Sequence, residues 1–485
     1  MRTETIIKVP LFIGGKFVES ANGKTFENCN PATNEVIAYV AEASAEDVDR
    51  AARAARAAFE SGVWSNLPAG EKSRTLRQIA DVLEAHKDEL ARLESIDTGK
   101  PIREALAGDI PRAIGYFRIF ADYITTRGTE YFPMDGQALN YVLREPLGVV
   151  GLINPWNFPL MTLCSKLAPA LAAGNTVVAK PAEWTPMTAA RLAELIGETS
   201  LPAGVFNLVQ GFGPAAAGEA ITTHPEVNAI SFTGETSTGQ AIMAAASRTL
   251  KRISFELGGK GATVVFADAK LDGAVDVAGR AAFRNQGQVC TAGSRILVDA
   301  SIHDMFLDAL VAWAKAIRIG DPLDPQTEMG SLVHPEHRAR VESYLEFARS
   351  TGVRIVCGGR TPAGAPSSNF LEPTVIAETN ANARLCQEEI FGPVVTVTPF
   401  KSEDEAVAIH NGTKYGLAST VCSSDISRAH RVAARLQTGT VWINSWSIRD
   451  PRVPFGGYKS SGIGREGGLY SLDFFTEVKT VCVKI

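Results

Sequence analysis

Apolar and polar positions fall into two textures along this chain. Up to about residue 130 the pattern is helical. Residues 45–60 (AEDVDRAARAARAAFE) and 70–97 are rich in alanine and leucine with charges between, and Ile79, Leu83, Leu90 and Leu93 recur at helical spacing. A third helical stretch, 102–127, contains Pro111, which predicts a kink or break there. From residue 147 short β-branched runs alternate with helical stretches. The runs are GVVGLI (148–153), NTVVAK (175–180), VFNLV (205–209) and NAISFTG (228–234), with helices predicted near 160–173, 186–199, 213–222 and 236–247. Such alternation predicts βαβ units and a parallel sheet, which takes its ligands at the carboxyl ends of its strands. A second series starts after Gly258: TVVF (263–266), a helix near 272–285, RILV (295–298) and a helix near 303–317. It reads as a second α/β domain.

Length agrees with two large domains, since 485 residues exceed one ordinary core. With 45% hydrophobic and 21% charged residues the composition is that of a folded chain. The net charge of −5 and the lack of a basic stripe argue against a nucleic-acid partner. The amino-terminal MRTETIIKVPLFIGGKF lacks the order of a secretory signal, and no run of about 18 uncharged apolar residues predicts a membrane span. Seven cysteines stand at 29, 164, 290, 357, 386, 422 and 482, without a CxxC pair or Cys/His ligand spacing. That disfavours a structural metal and a disulfide framework, and the chain reads as cytoplasmic. Asn411-Gly412-Thr413 matches a glycosylation sequon, which without a secretory signal reads as accidental.

Two glycine-rich pieces bear on nucleotide binding. GFGPAAAG (211–218) begins like a dinucleotide fingerprint without keeping its spacing. FTGETSTG (232–239) follows a predicted strand and opens a helix, where glycines admit a pyrophosphate and the helix N-terminus favours its charge. No GK[ST] follows, which excludes a triphosphate loop. Lys180-Pro-Ala-Glu183 comes directly after the NTVVA strand. Alone it reads as a solvated loop; at a nucleotide site its carboxylate suits ribose hydroxyls and repels a 2′-phosphate, favouring NAD, with NADP as the alternative.

Three further segments, PWNFP (155–159), FELGGK (255–260) and NQGQVCTAGSR (285–295), join EEIFGP (388–393) and PFGGYKSSGIGRE (454–466). Together, and in this order over essentially the whole chain, they resemble the aldehyde dehydrogenase superfamily. That resemblance implies a Rossmann-like cofactor domain (1–127 and 147–257), an α/β catalytic domain (258–461) and a small β oligomerisation arm (128–146 and 462–485). It also implies a homodimer or homotetramer with a small-molecule aldehyde as substrate, and no metal. Matched residue by residue, Cys290 is the nucleophile, Glu256 the general base and Asn157 the oxyanion amide. The cofactor-binding set is Ile153, Pro155, Trp156, Lys180, Glu183, Gly213, Phe232, Gly234, Glu235, Leu257, Glu389 and Phe391. Lys180 and Glu183 match the adenosine-ribose contacts, and Glu389 and Phe391 those of the nicotinamide ribose.

These residue types suit the chemistry. Hydride cannot leave an aldehyde until a nucleophile has made its carbon tetrahedral, and a thiolate does this well. Only a few per cent of an ordinary cysteine is ionised at neutral pH, so Cys290 needs activation by Glu256, water or the cofactor's positive ring. The Asn157 amide and the Cys290 backbone N–H would hold the oxyanion, contacts of a kind worth about 3–4 kcal/mol. Glu256 then activates the water that hydrolyses the thioester. Gly258 and Gly259 are expected to turn the chain so that this carboxylate faces the thiol. Relatives that pass the acyl group to coenzyme A or phosphate generally lack that base, so its presence favours release of the free acid. Singly, a cysteine is more often buried core, a glutamate a surface residue and an asparagine a turn residue; Cys164 keeps the core reading.

WINSWSIRDPRVPFGG (442–457) resembles the branch that oxidises 2-hydroxymuconic and 2-aminomuconic semialdehydes. There two arginines hold the substrate carboxylate, matching Arg112 and Arg449 here, with Arg452 an alternative to Arg449. A guanidinium fork suits a carboxylate, although ordinary surface arginines are the plainer reading. Phe158, Trp156, Leu160 and Trp446 are expected to line an apolar tunnel to the thiol. Glu235 stands where many relatives have serine, so its carboxylate must point away from the phosphates or bridge through another group. The alternatives are a broad-range enzyme for neutral aliphatic or aromatic aldehydes and, remotely, a cofactor-binding structural protein without turnover.

Overall fold

The structure, a computed structural model, describes residues 6–377 and 380–485. The opening five residues of the segment read for a secretory signal lie outside them. Five parallel strands form the centre of the first sheet. In spatial order they are Arg252–Glu256, Val227–Thr233, Val149–Ile153, Thr176–Lys180 and Phe206–Leu208. The strand order reverses beside Val149–Ile153, the switch point at which doubly wound sheets bind ligands. Antiparallel edges are added by Leu11–Ile13 and Lys16–Val18 on one side and by Gly462–Ile463 on the other. Apolar clusters cover both faces: Leu76, Phe117, Leu163 and Leu192 on one, Val48, Val178, Ile221 and Ile230 on the other.

The second sheet has seven strands, in the order Arg354–Cys357, Thr374–Ala377, Val394–Phe400, Arg295–Asp299, Ala262–Val265, Ala418–Cys422 and Thr440–Ile443. All neighbours are parallel except the first pair. A third sheet is antiparallel: Thr476–Lys484 pairs along its whole length with Ala138–Pro146, which also pairs with Tyr131–Met134. Residues 462–475, expected in the arm, lie on the first half instead. Gly462–Ile463 extends its sheet, and Leu472 and Phe475 are buried in its core.

The predicted strands and helices from 148 to 317 are present, with the helix near 213–222 shortened to Ala217–Thr223. Residues 70–97 form two helices, Ala69–Ala85 and Lys87–Thr98, broken at His86 (φ −107°, ψ 19°). The third stretch does not break at Pro111: Glu104, Ala105, Asp109 and Ile110 all keep right-handed helical dihedrals, and a π-turn, Ala105–Asp109, widens the helix directly before Ile110–Thr126, where the proline has no N–H to donate. Among the described residues no helix is long and apolar enough to cross a membrane.

Candidate active site

The two main sheets are joined by 257–261, which carry the chain from Arg252–Glu256 in one to Ala262–Val265 in the other. Glu256 therefore ends a strand at the carboxyl edge of the first sheet. Across the crossover, the loop before Arg295–Asp299 delivers Cys290. That loop begins with three left-handed residues, Asn285 (φ 49°), Gln286 (φ 56°) and Gly287 (φ 68°). Gln286 is fixed by donating to the carbonyls of Ser331 (2.9 Å) and Gly99 (3.3 Å), and Gln288 Oε1 accepts from the Val333 N–H (3.0 Å). A Cβ at 287 would lie 2.1 Å from the Gly392 carbonyl, so only glycine closes this turn.

Gly258 and Gly259 act differently from expectation. Neither is left-handed; each makes room for a close approach. A Cβ at 258 would lie 2.2 Å from Glu389 Oε2, and one at 259 would lie 2.3 Å from the Cys290 carbonyl. The crossover is thus packed against the backbone of the cysteine loop on one side and the Glu389 carboxylate on the other, with Glu389 Oε1 accepting the Gly259 N–H at 2.7 Å.

Asn157 lies just past the strand Val149–Ile153. Its Nδ2 donates to the Gln288 carbonyl at 2.9 Å, and its own carbonyl accepts from Asn285 Nδ2 at 3.2 Å. The amide is tied to the loop two residues before Cys290. An NH2 group has two protons to give, so one remains for an oxyanion.

Burial pushes the Cys290 thiol up to about 12, and the Glu256 and Glu389 carboxylates push the same way, against the charge of Arg449 and the Thr291 N–H. Glu256 is itself held well above the usual carboxylate range by burial and by Glu466, with Lys166, Arg449 and Arg465 opposing. Its Oε2 is buried and unpartnered among the described residues. At rest the site holds a neutral thiol beside a carboxyl that resists ionisation. Sequence reading missed the neighbouring buried ion pair of Lys166 with Glu466, whose charges act on that carboxyl.

Two arginines complete this side. Arg449 stacks its guanidinium 3.7 Å from the Phe455 ring centre, and its Nε is buried without a partner. Arg112 donates to Met161 Sδ at 3.8 Å; burial and the like charges of Arg449 and Arg284 hold its guanidinium below its ordinary value, with Tyr116 and Asp109 opposing. Among the described residues neither guanidinium has a carboxylate in ion-pair range. Arg452, the alternative, is exposed and clamped to Asp450, so it is removed from the site. Trp446 donates to the Thr291 carbonyl at 3.1 Å, which sets it beside the nucleophile. Leu160 is a correction: it is fully buried in the core of the first half and lines no tunnel.

The residues expected to bind the cofactor lie along the junction of the two halves. Ile153, Phe232 and Leu257 are buried at or just past the carboxyl ends of the first sheet's strands, with Pro155 and Trp156 in the loop after Ile153. Lys180 ends its strand with Nζ 2.9 Å from the Pro181 carbonyl and 3.5 Å from Glu183. Gly234 follows Val227–Thr233, and a Cβ there would strike the Phe232 ring at 2.4 Å. Gly213 packs its Cα where a Cβ on Gly218 would come within 2.9 Å, so these two glycines close a turn on each other. The helix Pro335–Ser350 of the second half packs against them through His337 and Arg340.

Aromatic rings join the two halves at this junction. Trp156 meets Phe391 edge-on at 5.1 Å and His337 at 4.9 Å, while Trp184 stacks on His334 at 4.6 Å. The His337 ring is joined to the Phe391 carbonyl at 2.7 Å, and Phe391 is left-handed (φ 59°), a conformation bulky residues rarely adopt. Sequence reading missed Trp184, His334 and His337. Trp184 directly follows the Lys180–Glu183 segment, and that position is the signal that could have found it. Glu235 points away from the helix it caps and pairs with Arg340 at 3.1 Å. Burial lifts Glu389 to about 7, against the Gly259 N–H, Arg340 and Lys260.

An NAD-shaped group suits these residues. Glu389 presents a buried carboxylate, Lys180 and Glu183 end a strand beside the switch point, and the helix Thr236–Ala246 opens after Gly234.

A profile of the aldehyde dehydrogenase family matches residues 17–481. The chain is 48% identical to a 2-hydroxymuconic semialdehyde dehydrogenase from Pseudomonas sp. (strain CF600) over 481 residues, 98% of this chain and 99% of that one. It is 45% identical over 479 residues to a 2-aminomuconic semialdehyde dehydrogenase from Bos taurus, covering 98% and 97%. Among solved structures, the NAD+ complex of an aldehyde dehydrogenase from Bacillus cereus superposes with a TM-score of 0.96 at 43% identity, covering 99% and 97% of the two chains.

Proposed function

The chain belongs to the aldehyde dehydrogenase family, and from that premise we propose that it oxidises a carboxylated semialdehyde of the muconic type to the free diacid with NAD. The observation that carries the substrate class is the pair Arg112 and Arg449. Two guanidiniums that act on each other as like charges, one with a buried unpartnered Nε, call for an anion between them. The relatives that act on such semialdehydes and the NAD+ complex of a similar structure support the same reading.

Cys290 passes its proton to water and, as the thiolate, attacks the aldehyde carbon to give a thiohemiacetal oxyanion. The free Asn157 N–H donates to this oxyanion, and the tie to Gln288 keeps that donor aimed without rearrangement. Lys180, Glu183, Glu389 and the Gly234 turn would hold NAD, which would supply the hydride acceptor for formation of a thioester on Cys290. Glu256, ionised for this step with the help of the Lys166, Arg449 and Arg465 charges that oppose its burial, then takes a proton from the attacking water. The tetrahedral adduct expels the Cys290 thiolate and releases the acid. Glu183 disfavours a 2′-phosphate, which makes NAD the preferred form.

The division into a cofactor domain, a catalytic domain and an arm is part of the same reading, with 462–475 reassigned to the first half. The three-stranded sheet exposes Phe132, Met134 and Val478 on one face and Tyr131 and Val483 on the other, and this apolar exposure supports a homodimer or homotetramer. The seven free cysteines suit a reducing cytoplasm. Absorbance at the reduced-nicotinamide band tests the function. NAD and NADP are offered with 2-hydroxymuconic semialdehyde, succinic semialdehyde, benzaldehyde and hexanal, with Cys290→Ala as control. Strong preference for the semialdehydes is the expected result; equal turnover of neutral aldehydes would overturn the substrate class.

A further inference from the structure

Beneath the acyl side of the site lies a buried ionic cluster that the chemistry above does not use. Lys100 is wholly buried, with Nζ 2.6 Å from Asp109 Oδ2 and 3.5 Å from Glu94 Oε1. The same ammonium stands 4.3 Å from the centre of the Phe158 ring. Glu94 also accepts from Thr188 Oγ1 at 3.0 Å and from the backbone N–H of Leu160, in the first turn of the helix after Asn157 and Phe158. Asp109 ends the π-turn, and Arg112 follows it three residues later on the same helical surface. The carbonyl of Gly99, next to Lys100, receives Gln286 of the cysteine loop.

One buried cation therefore touches, directly or through one partner, Phe158, the entry of the helix after Asn157, and the start of the helix that carries Arg112. A fully buried ammonium is retained only where its partners hold it firmly, and a cation over an aromatic face gains when desolvated. We propose that Lys100 is a positioning residue of the acyl site. It fixes the Phe158 ring as a wall and, through Asp109, sets the reach of Arg112. The Arg112 arm rests on the carboxylated-substrate reading above; the Phe158 arm does not.

The test uses the full chain. Lys100→Met keeps the length of the side chain and removes the charge. With hexanal it is expected to raise KM about tenfold while kcat changes by less than about threefold. The double variant with Phe158→Leu should be no worse than Phe158→Leu alone. With 2-hydroxymuconic semialdehyde the loss should be larger, because Arg112 shifts too. Multiplying effects of Lys100→Met and Phe158→Leu on hexanal, or a lowered melting temperature with unchanged KM, would overturn the proposal. If the wild type does not prefer the semialdehyde, the substrate reading fails while the hexanal cycle still decides on Lys100. Should Lys100→Met not fold, Asp109→Asn enters the same cycle, with the same non-additivity expected and additivity overturning it.

Discussion

Glu235 Oε1 lies 3.1 Å from the guanidinium of Arg340, joining the N-cap of the helix Thr236–Ala246 to the helix Pro335–Ser350 of the second half. A carboxylate at a phosphate-binding helix terminus would repel the ligand; paired with Arg340, its charge is neutralised. Both side chains are about half exposed, so the pair is worth on the order of 0.5 kcal/mol. Glu235→Ser is expected to tighten NAD about twofold to fivefold, more at low salt, as Arg340 is freed toward the pyrophosphate. Fluorescence titration of the cofactor measures it; weaker binding would mean that Glu235 helps to hold the cofactor.

Arg449→Ala should separate carboxylated from neutral substrates. A charge-assisted contact is worth about 1.5–3 kcal/mol, so kcat/KM for 2-hydroxymuconic semialdehyde should fall about tenfold to a hundredfold, with hexanal changing far less. Equal losses on both would assign Arg449 to the thiol and the base rather than to the substrate.

Cys290 should be sluggish toward alkylation without cofactor. With the thiol pushed up to about 12, the iodoacetamide rate should climb through the alkaline range with no plateau below pH 9. Arg449 holds that value down, so its loss should slow alkylation further. A plateau near neutral pH would show that the thiol is already ionised at rest.

Glu389 gives a stability prediction with a definite sign. Its folded carboxyl is lifted from 4.5 to about 7, so the folded state binds the proton more tightly than the unfolded one. The stabilisation is full below pH 4.5 and is lost as pH rises toward 7. Glu389→Gln keeps the acceptor for the Gly259 N–H and removes the charge. It should raise the melting temperature at pH 8, by at most about 3 kcal/mol of stability, and leave it nearly unchanged at pH 5. NAD binding measured alongside should weaken.

Local pattern revealed most of the alternating core, because the runs at 148–153 and 175–180 are β-branched and bounded by glycine or by Lys-Pro. It failed over the first 41 residues: Ile7–Val9, Leu11–Ile13 and Lys16–Val18 have three residues each, too few to show a period, and the longer strands Thr25–Asn30 and Glu35–Ala41 lack a clean alternation of apolar and polar positions. It also ran through His86, where no glycine or proline marks the break. At the site, the motif residues Cys290, Glu256 and Asn157 were legible because each sits in a distinctive segment. The partners that set their charges were not. Lys166 meets Glu466 across 300 residues, and Arg340 meets Glu235 from the opposite half. Lys100 reads on paper as one more lysine before a proline. Pairings of this kind follow from tertiary packing, on which no local period reports.

The edge strand Gly462–Ile463 also bears on the order in which the protein can assemble. The first sheet starts at residue 11, yet the strand carrying Glu256 gains its outer neighbour only from residues synthesised some two hundred positions later, and Leu472 and Phe475 fill the same core. During translation the early half must wait as an incomplete sheet, with an open edge and a gap in its interior, while the whole second sheet is made. Competence for the cofactor thus arrives late in synthesis, and a nascent chain stalled before residue 462 would expose the aggregation-prone border that the finished enzyme conceals.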